Sequence, residues 1–409
     1  MKTTDAGAAP DTVQESRVPT LWLLALITFS GTLAMHIFVP VLPIAGQSLH
    51  AGAAEMQSTI SIYILGLAAG QLVYGPISDR YGRRPVLMAG LVVYTLASIA
   101  ALFASDIHML IAARLFQALG GGTGLVIGRA IVRDTSASAE STRRLAMMNL
   151  MVAIGPGLAP VFGSLLAGIA GWRAIFAFLC LLGACNMICA WRILPETSKM
   201  AKDQSFRLVA RNYVLLLRTP AFLGFAIGGS CATTSMYAFI GAAPFLFVEQ
   251  LHRPATEVGV YLGVIVLGYW FGNLIASRLV GRVPVRRLLS ANLISLAAGL
   301  FLIWIASRSE LTVIGVIAAM LVYTLGAGIA SPAAMAEAIG VNPLVAGSAS
   351  GLYGFFQMVI GALATAGTGL IADHALAAAI VVVTACIVSQ ACFRIAVRPV
   401  AGLVQPAAS

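Results

Sequence analysis

The sequence predicts an all-α integral membrane protein: twelve transmembrane helices in two pseudo-symmetric six-helix bundles, with both termini cytosolic. Three observations carry that prediction. Of 409 residues, 59% are hydrophobic and 10% charged, with a mean hydropathy of +0.93, whereas a soluble domain carries about a quarter charged residues. Apolar runs recur along the whole length, and a bilayer core about 30 Å thick needs roughly 20 apolar residues at 1.5 Å each. The basic residues alternate from loop to loop, which orients the bundle.

Residues 1–19 are polar, contain acids and lack the apolar core of a cleavable signal, so they read as a cytosolic tail. An N-terminal bundle over 20–194 follows, with spans at about 20–44, 56–78, 86–105, 108–132, 145–169 and 172–194. Residues 195–219, "PETSKMAKDQSFRLVARNYVLLLRT", form a polar, basic cytosolic linker. The second bundle, 220–397, holds spans at about 220–247, 257–279, 287–306, 311–335, 346–371 and 376–397, and 398–409 is a second cytosolic tail. With the termini inside, the inward loops hold Arg80, Arg83 and Arg84, then Arg129, Arg133, Arg143 and Arg144, the linker, and Arg278, Arg282, Arg286 and Arg287. The outward loops hold only Arg173, Arg253 and Arg308.

The net charge of +10 does not indicate nucleic acid, because the basic residues sit in short loops with no recognition helix pattern or basic–aromatic interleaving. Six cysteines, Cys180, Cys185, Cys189, Cys231, Cys386 and Cys392, lie inside apolar segments. They read as packing residues, and no His or carboxylate joins Cys185 and Cys189 to make a metal site. "GGGTGLVIG" follows no strand, and the chain has no Walker lysine, so ATP coupling, a cofactor or an enzymatic role is not expected. The halves resemble each other: "GQLVYGPISDRYGRRPVL" from Gly70 aligns with "GNLIASRLVGRVPVRRLL" from Gly272, at an offset matching the linker's split.

Three stretches carry mechanism. "GPISDRYGRRP" spans Gly75, Asp79, Arg80, Gly82, Arg83 and Arg84 between the second and third spans. Gly82 permits a tight reversal. Asp79 is an acid near a helix C-terminus, where the dipole favours cations, so it needs a partner: a nearby arginine, or the N-terminus of the eleventh helix near Ala346. In the fifth span "GPGLAPVFGS" brings Gly155, Pro156, Gly157, Pro160 and Gly163. Proline inside a helix removes a hydrogen bond and is tolerated in membranes where neighbours compensate. The eighth span offers Gly259, Gly263, Gly268 and Gly272 at small-xxx-small spacing for close approach. In the fourth span, "ARLFQALGG" buries Arg114 beside Gln117, and an arginine at such depth reads as functional by default.

These stretches resemble the signatures of the major facilitator superfamily: the G-x-x-x-D-R-x-G-R-R loop, the G-P-x-x-G-P-x-x-G-G motif of drug antiporters with Ala159 and Ser164 replacing two glycines, and an R-x-x-Q-G-type motif at Arg114, Gln117 and Gly120. Together with "RAIVRD", "GWRAIF" and "MYAFIGAAPFLF", they resemble twelve-helix drug:proton antiporters of the bicyclomycin and phenicol resistance type. The resemblance implies that Asp79 locks the halves when the cavity faces outward, rather than only marking topology. It implies that the fifth helix seals the cytosolic side, rather than being only a kinked packing helix. It gives Arg114 a proton-relay or affinity role, the alternatives being a hydrogen-bond hub or a snorkelling side chain.

One position departs from that pattern. The family's first helix reads D-x-Y-L-P-x-x-P, and here "MHIFVPVLP" puts His36 where the acid stands. His36 and Arg114 each lie about six residues from an outer helix end, roughly 9 Å deep at 1.5 Å per residue. Two cations there would repel, which favours neutral imidazole; His36 is expected to be a proton carrier or a neutral polar contact. Tyr63, Asn149, Tyr237, Phe239, Phe356 and Gln357 are candidate substrate contacts. The expected function is export of small, largely apolar, phenicol-like drugs from the cytosol by proton antiport and alternating access. The expected setting is the bacterial inner membrane, the protein a monomer with the proton gradient as energy source and the bilayer, drug and protons as partners. The alternative is a proton-coupled exporter or symporter of a small metabolite of the same fold.

Overall fold

The computed structural model describes residues 21–135, 138–197, 206–308, 310–342, 345–371 and 373–397; the side chains of 138–143, 145–147, 149–154 and 206–208 are not described. The terminal tails, part of the linker, Arg143 and the side chain of Asn149 therefore lie outside the described residues. Helices run in the order α1 (Leu21–Leu49), α2 (Ala53–Tyr81), α3 (Arg83–Leu102), α4 (Ile107–Thr135), α5 (Ser138–Ala170) and α6 (Arg173–Ile193). After the linker come α7 (Pro220–Gln250), α8 (Ala255–Leu279), α9 (Val285–Ser307), α10 (Val313–Gly340), α11 (Ala346–Thr368) and α12 (His374–Ala396). Among the described residues eleven of these are long and apolar enough to cross a membrane, and α5 contributes the apolar stretch Gly155–Ala170. No strand occurs among them.

Several helices outrun their apolar stretches. α2, α4 and α10 end at Tyr81, Thr135 and Gly340, past the expected edges at 78, 132 and 335. Their last turns carry Arg80, Arg133 and Glu337, and a helix needs no apolar side chains once it has left the lipid. α1 differs for another reason. Its straight part ends at His36; a 3-10 turn at Val39–Val41 around Pro40 then leads into a short helix, Leu42–Leu49. α7 breaks likewise at Ser235 and closes in a π-helical turn, Leu246–Gln250. Both first helices end in a left-handed histidine, His50 (φ 53°) and His252 (φ 51°), at the same offset as Gly70 and Gly272. The linker contains a helix unforeseen from sequence, Phe206–Leu217.

Within each half the backbones meet at small residues. Gly31 of α1 backs onto Gly121 of α4, and Gly272 of α8 onto Gly328 of α10. The sequence reading aimed all four α8 glycines at one neighbour, and the helix divides them. Gly259 and Gly263 face α5, while Gly268 and Gly272 face α10, because at about 100° per residue the step from Gly263 to Gly268 turns roughly 140° around the helix.

Two seams join the halves, α2 against α11 and α5 against α8. They are the same seam seen twice, since the repeat maps α2 onto α8 and α5 onto α11. One apolar core spans both halves at the end where α1 stops, taking in Phe38 and Trp172 from one half and Phe239 and Phe247 from the other. Thr368 donates to Gln57 Oε1 across it (3.2 Å), and Ser164 donates to the Ala255 carbonyl (3.4 Å). At the opposite end, which carries the linker, the cores separate. One holds Leu23, Leu87 and Ile131; the other holds Phe222, Leu288 and Tyr353. The halves share one core at the far end and have separate cores at the linker end, where they still touch through Gln71 and Leu72 of α2.

Gly120 has the Gly90 carbonyl and the Tyr94 backbone where a side chain would go, whereas Gly75 has open space. Overpacking costs about 1–3 kcal/mol. Thermal unfolding in detergent is expected to show a lowered Tm for Gly120→Val and none for Gly75→Ala.

Candidate functional site

Arg114 is fully buried. Its Nη1 donates to the Ala34 carbonyl of α1 (2.9 Å) and to Gln117 Oε1 one turn along α4 (2.6 Å); Gln117 Nε2 in turn donates to Ser98 Oγ of α3 (2.8 Å). The guanidinium lies 4.1 Å from the Tyr63 ring centroid and 5.8 Å from that of Phe38. Ring faces stabilise a desolvated cation that has no carboxylate. Nε and Nη2 have no hydrogen-bond partner. The charge thus ties α1, α2, α3 and α4 together, with two nitrogens left over.

His36 ends the straight part of α1. Its Nδ1 lies 2.8 Å from the Thr32 carbonyl. A carbonyl only accepts, so Nδ1 carries the proton and Nε2 presents a lone pair in the neutral ring. Nε2 is buried without a partner. The ring faces Tyr237 of α7, centroids 5.9 Å apart, so the imidazole sits on the seam between halves. Tyr237 in turn packs against Gly361 of α11, where a Cβ would meet its Cδ2 at 2.6 Å.

His36, Arg114, Gln117, Tyr63 and Tyr237 therefore come together around α1. The other candidate contacts behave differently. Tyr63 donates its hydroxyl to the Gly31 carbonyl (2.8 Å) and is wholly buried, so it clasps α2 to α1. Phe239 is buried edge-on against Phe247. Phe356 and Gln357 are half-buried on α11, Gln357 one turn from Gly361. Among the described residues, no three His, Cys, Asp or Glu side chains gather as a metal site requires.

The charged loop forms a second constellation at the linker end. Gly82 takes φ 97°, which reverses the chain between α2 and α3. Arg83 is buried; it pairs with Asp79 (2.6 Å) and with Asp134 of α4 (2.9 Å), and donates to Ser78 Oγ (2.6 Å). Asp79 thus finds its partner one turn away in its own half. Arg80 lies over the Tyr81 ring, and Arg84 donates to the Trp191 carbonyl of α6 (2.6 Å). Sequence reasoning missed Glu196, just past α6. Its carboxylate accepts from the backbone N–H groups of Arg83 (2.9 Å) and Arg84 (3.1 Å) and so caps α3. No local signal pointed to it: the acid lies 113 residues from the helix start it caps, and exposed N–H groups and the helix dipole attract it only once the fold brings it there.

The third constellation is the α5–α8 seam. A Cβ on Gly259 would run into the Pro160 carbonyl and Ser164, and one on Gly263 would meet the Gly157 carbonyl at 3.1 Å. Gly163 abuts the Ile37 carbonyl of α1 with no room for a side chain, and Gly155 lies against Thr32. Pro156 is half-buried beside them.

Replacing Arg114 by Met keeps bulk but leaves Gln117 Oε1 and the Ala34 carbonyl without their donor, each at about 1–3 kcal/mol. Arg114→Lys retains charge yet loses the planar stacking on Tyr63. Melting in detergent is expected to rank wild type above Arg114→Lys, and Arg114→Lys above Arg114→Met.

The sequence profile of the Major Facilitator Superfamily matches residues 24–365. The chain is similar to multidrug resistance protein D of Escherichia coli (strain K12), 29% identical over 354 residues that cover 85% of this chain and 87% of the relative. It is also similar to the chloramphenicol resistance protein of Pseudomonas aeruginosa, 29% identical over 343 residues, 83% and 80% of the two chains. Among solved structures, a bacterial homologue of the human lysosomal transporter Spinster aligns with a TM-score of 0.75 at 14% identity, over 92% of this chain and 95% of that one; the likeness is one of fold. The chain belongs to the major facilitator superfamily and is a multi-pass membrane transporter, not an enzyme.

Proposed function

We propose that this chain exports small, largely apolar compounds from the cytosol of a bacterium across its inner membrane, by alternating access and in exchange for protons. The observation that carries the reading is the α5–α8 seam. Pro160 and Gly157 present bare carbonyls to Gly259 and Gly263, so the motif shared with drug antiporters is built into an interface between halves. The names of the relatives support a drug as cargo.

The basic residues gather at the linker end, which we therefore take as cytosolic. The closed far end then makes this the inward-facing state, in which cargo loads from the cytosol. In that state Asp79 is held by Arg83. Closing the linker end would bring the α11 N-terminus near Ala346 toward Asp79, where its dipole favours a carboxylate. The carboxylate thus has one partner in each state.

Coupling falls to His36 because, among the described residues, the spans offer no embedded acid. Among the described residues Glu55, Asp79, Asp106, Asp134, Glu196, Glu249, Glu257, Glu310, Glu337 and Asp373 lie at helix ends or in loops. A proton on His36 Nε2 in the closed far end would make a second buried cation beside Arg114 with no acceptor. The same proton is tolerated once the far end parts and water reaches the ring. A base that takes a proton from outside when the far end is open, and must give it up to the cytosolic side when that end closes, can carry protons across. With no carboxylate to pair a cationic drug, the polar groups suit neutral or anionic cargo, such as phenicols.

Purified protein in liposomes with an internal pH-sensitive dye tests the reading. Under an imposed pH gradient, chloramphenicol or florfenicol is expected to trigger proton flux in wild type, with little response to a quaternary cation. His36→Ala is expected to lose the flux. Drug movement without proton flux would leave an exporter and remove antiport, and proton-coupled movement of a sugar or amino-acid derivative alone would favour a metabolite transporter.

A further inference from the structure

The helix in the linker, Phe206–Leu217, has two faces that differ in kind. Val209, Asn212, Tyr213 and Leu216 recur at three- and four-residue spacing. They are half-buried or, for Leu216, 1% exposed. Leu216 and Tyr213 join the apolar core at the base of α7 and α11, with Tyr213 Oη 3.6 Å from where a Cβ on Gly351 would lie. Burial pushes the Tyr213 hydroxyl pKa up, in keeping with a face turned inward. The helix is therefore docked on the second bundle.

Its other face carries Arg211, Val214, Leu215 and Arg218 at the same spacing. Arg218 continues the helix by donating its N–H to the Val214 carbonyl (3.1 Å). All four are exposed, Val214 and Leu215 each by 48%. Neither guanidinium has an ion-pair, hydrogen-bond or ring partner among the described residues. Two apolar side chains thus stand between two unpaired cations. Water alone suits the arginines but not the leucine and valine, and hydrocarbon alone suits the reverse. Only a boundary layer with anionic headgroups above apolar chains suits all four. The helix also sits where such a layer would lie, against the linker-side ends of α7 and α11.

We propose that this outward face is a binding surface for anionic phospholipid: Val214 and Leu215 enter the headgroup–acyl boundary, and Arg211 and Arg218 engage lipid phosphates. Each basic residue near an anionic surface contributes about a five-fold preference, and arginine matches phosphate with two parallel donors. Because Tyr213 and Leu216 on the opposite face pack at the base of α7 and α11, bound lipid holds that base as well as the helix. The proposal does not depend on what the protein transports.

Hydrogen–deuterium exchange of the full-length protein in vesicles tests it. Compared with phosphatidylcholine alone, mixing in phosphatidylglycerol is expected to slow amide exchange over 206–219 by about five-fold or more. High salt is expected to weaken the effect. Inorganic phosphate added to phosphatidylcholine vesicles is expected to have no effect, which separates the lipid from its headgroup chemistry. The double variant Arg211→Gln/Arg218→Gln is expected to exchange equally fast in both vesicles, with α3 and α9 protected as in wild type to show that the fold is intact. Equal exchange of the wild type in the two vesicles, or slowing that survives in the double variant, would overturn the proposal.

Discussion

In a bilayer, apolar side chains gain little by leaving lipid for each other, so helices hold together only where their surfaces fit closely. That constraint governs this molecule. Its contacts are made where side chains are missing: Gly31 on Gly121, Gly272 on Gly328, Gly259 on the Pro160 carbonyl. Within each half such contacts are dense and fix a rigid bundle. Between halves they form two seams related by the internal repeat. A smooth seam of small residues can part at one end and close at the other without breaking a ladder of side-chain bonds, which is what alternating access asks of it.

The polar groups are distributed around this frame with a clear division of labour. Arg114 spends one nitrogen on α1 and Gln117 and rests on Tyr63, which makes the N-terminal bundle a unit. His36 stands at the boundary of that unit, where α1 leaves its straight path and the other half begins with Tyr237. At the linker end, Arg83 draws Asp79, Asp134 and Ser78 together while Glu196 caps the helix that follows. On the proposed reading, two halves, an imidazole at their boundary and a charged clasp at one end are the parts of a two-state device.

Much of this was legible because lipid simplifies the code. Apolar run length gave the spans, and "GPISDRYGRRP" marked the reversal that Gly82 makes at φ 97°. What was not legible has physical causes. Helix ends beyond the lipid carry no hydropathy signal, so α2, α4 and α10 extend further than expected. The linker helix is half polar by design, and a hydropathy window averages its two faces to nothing. Side-chain roles depend on partners far along the chain: Tyr63 looked like a substrate contact, but its hydroxyl is taken by Gly31 and its ring by Arg114. Asp134 and Glu196 became visible only when the fold set them beside Arg83.

The central claim is that a lone imidazole on the seam does the work of the missing carboxylate. The most direct measurement is proton release from purified protein in weakly buffered detergent solution as a phenicol is added. If His36 exchanges its proton for cargo, wild type acidifies the solution in proportion to the drug bound, and His36→Gln binds drug without acidification. Equal release from both proteins, or binding with no release from wild type, would contradict it.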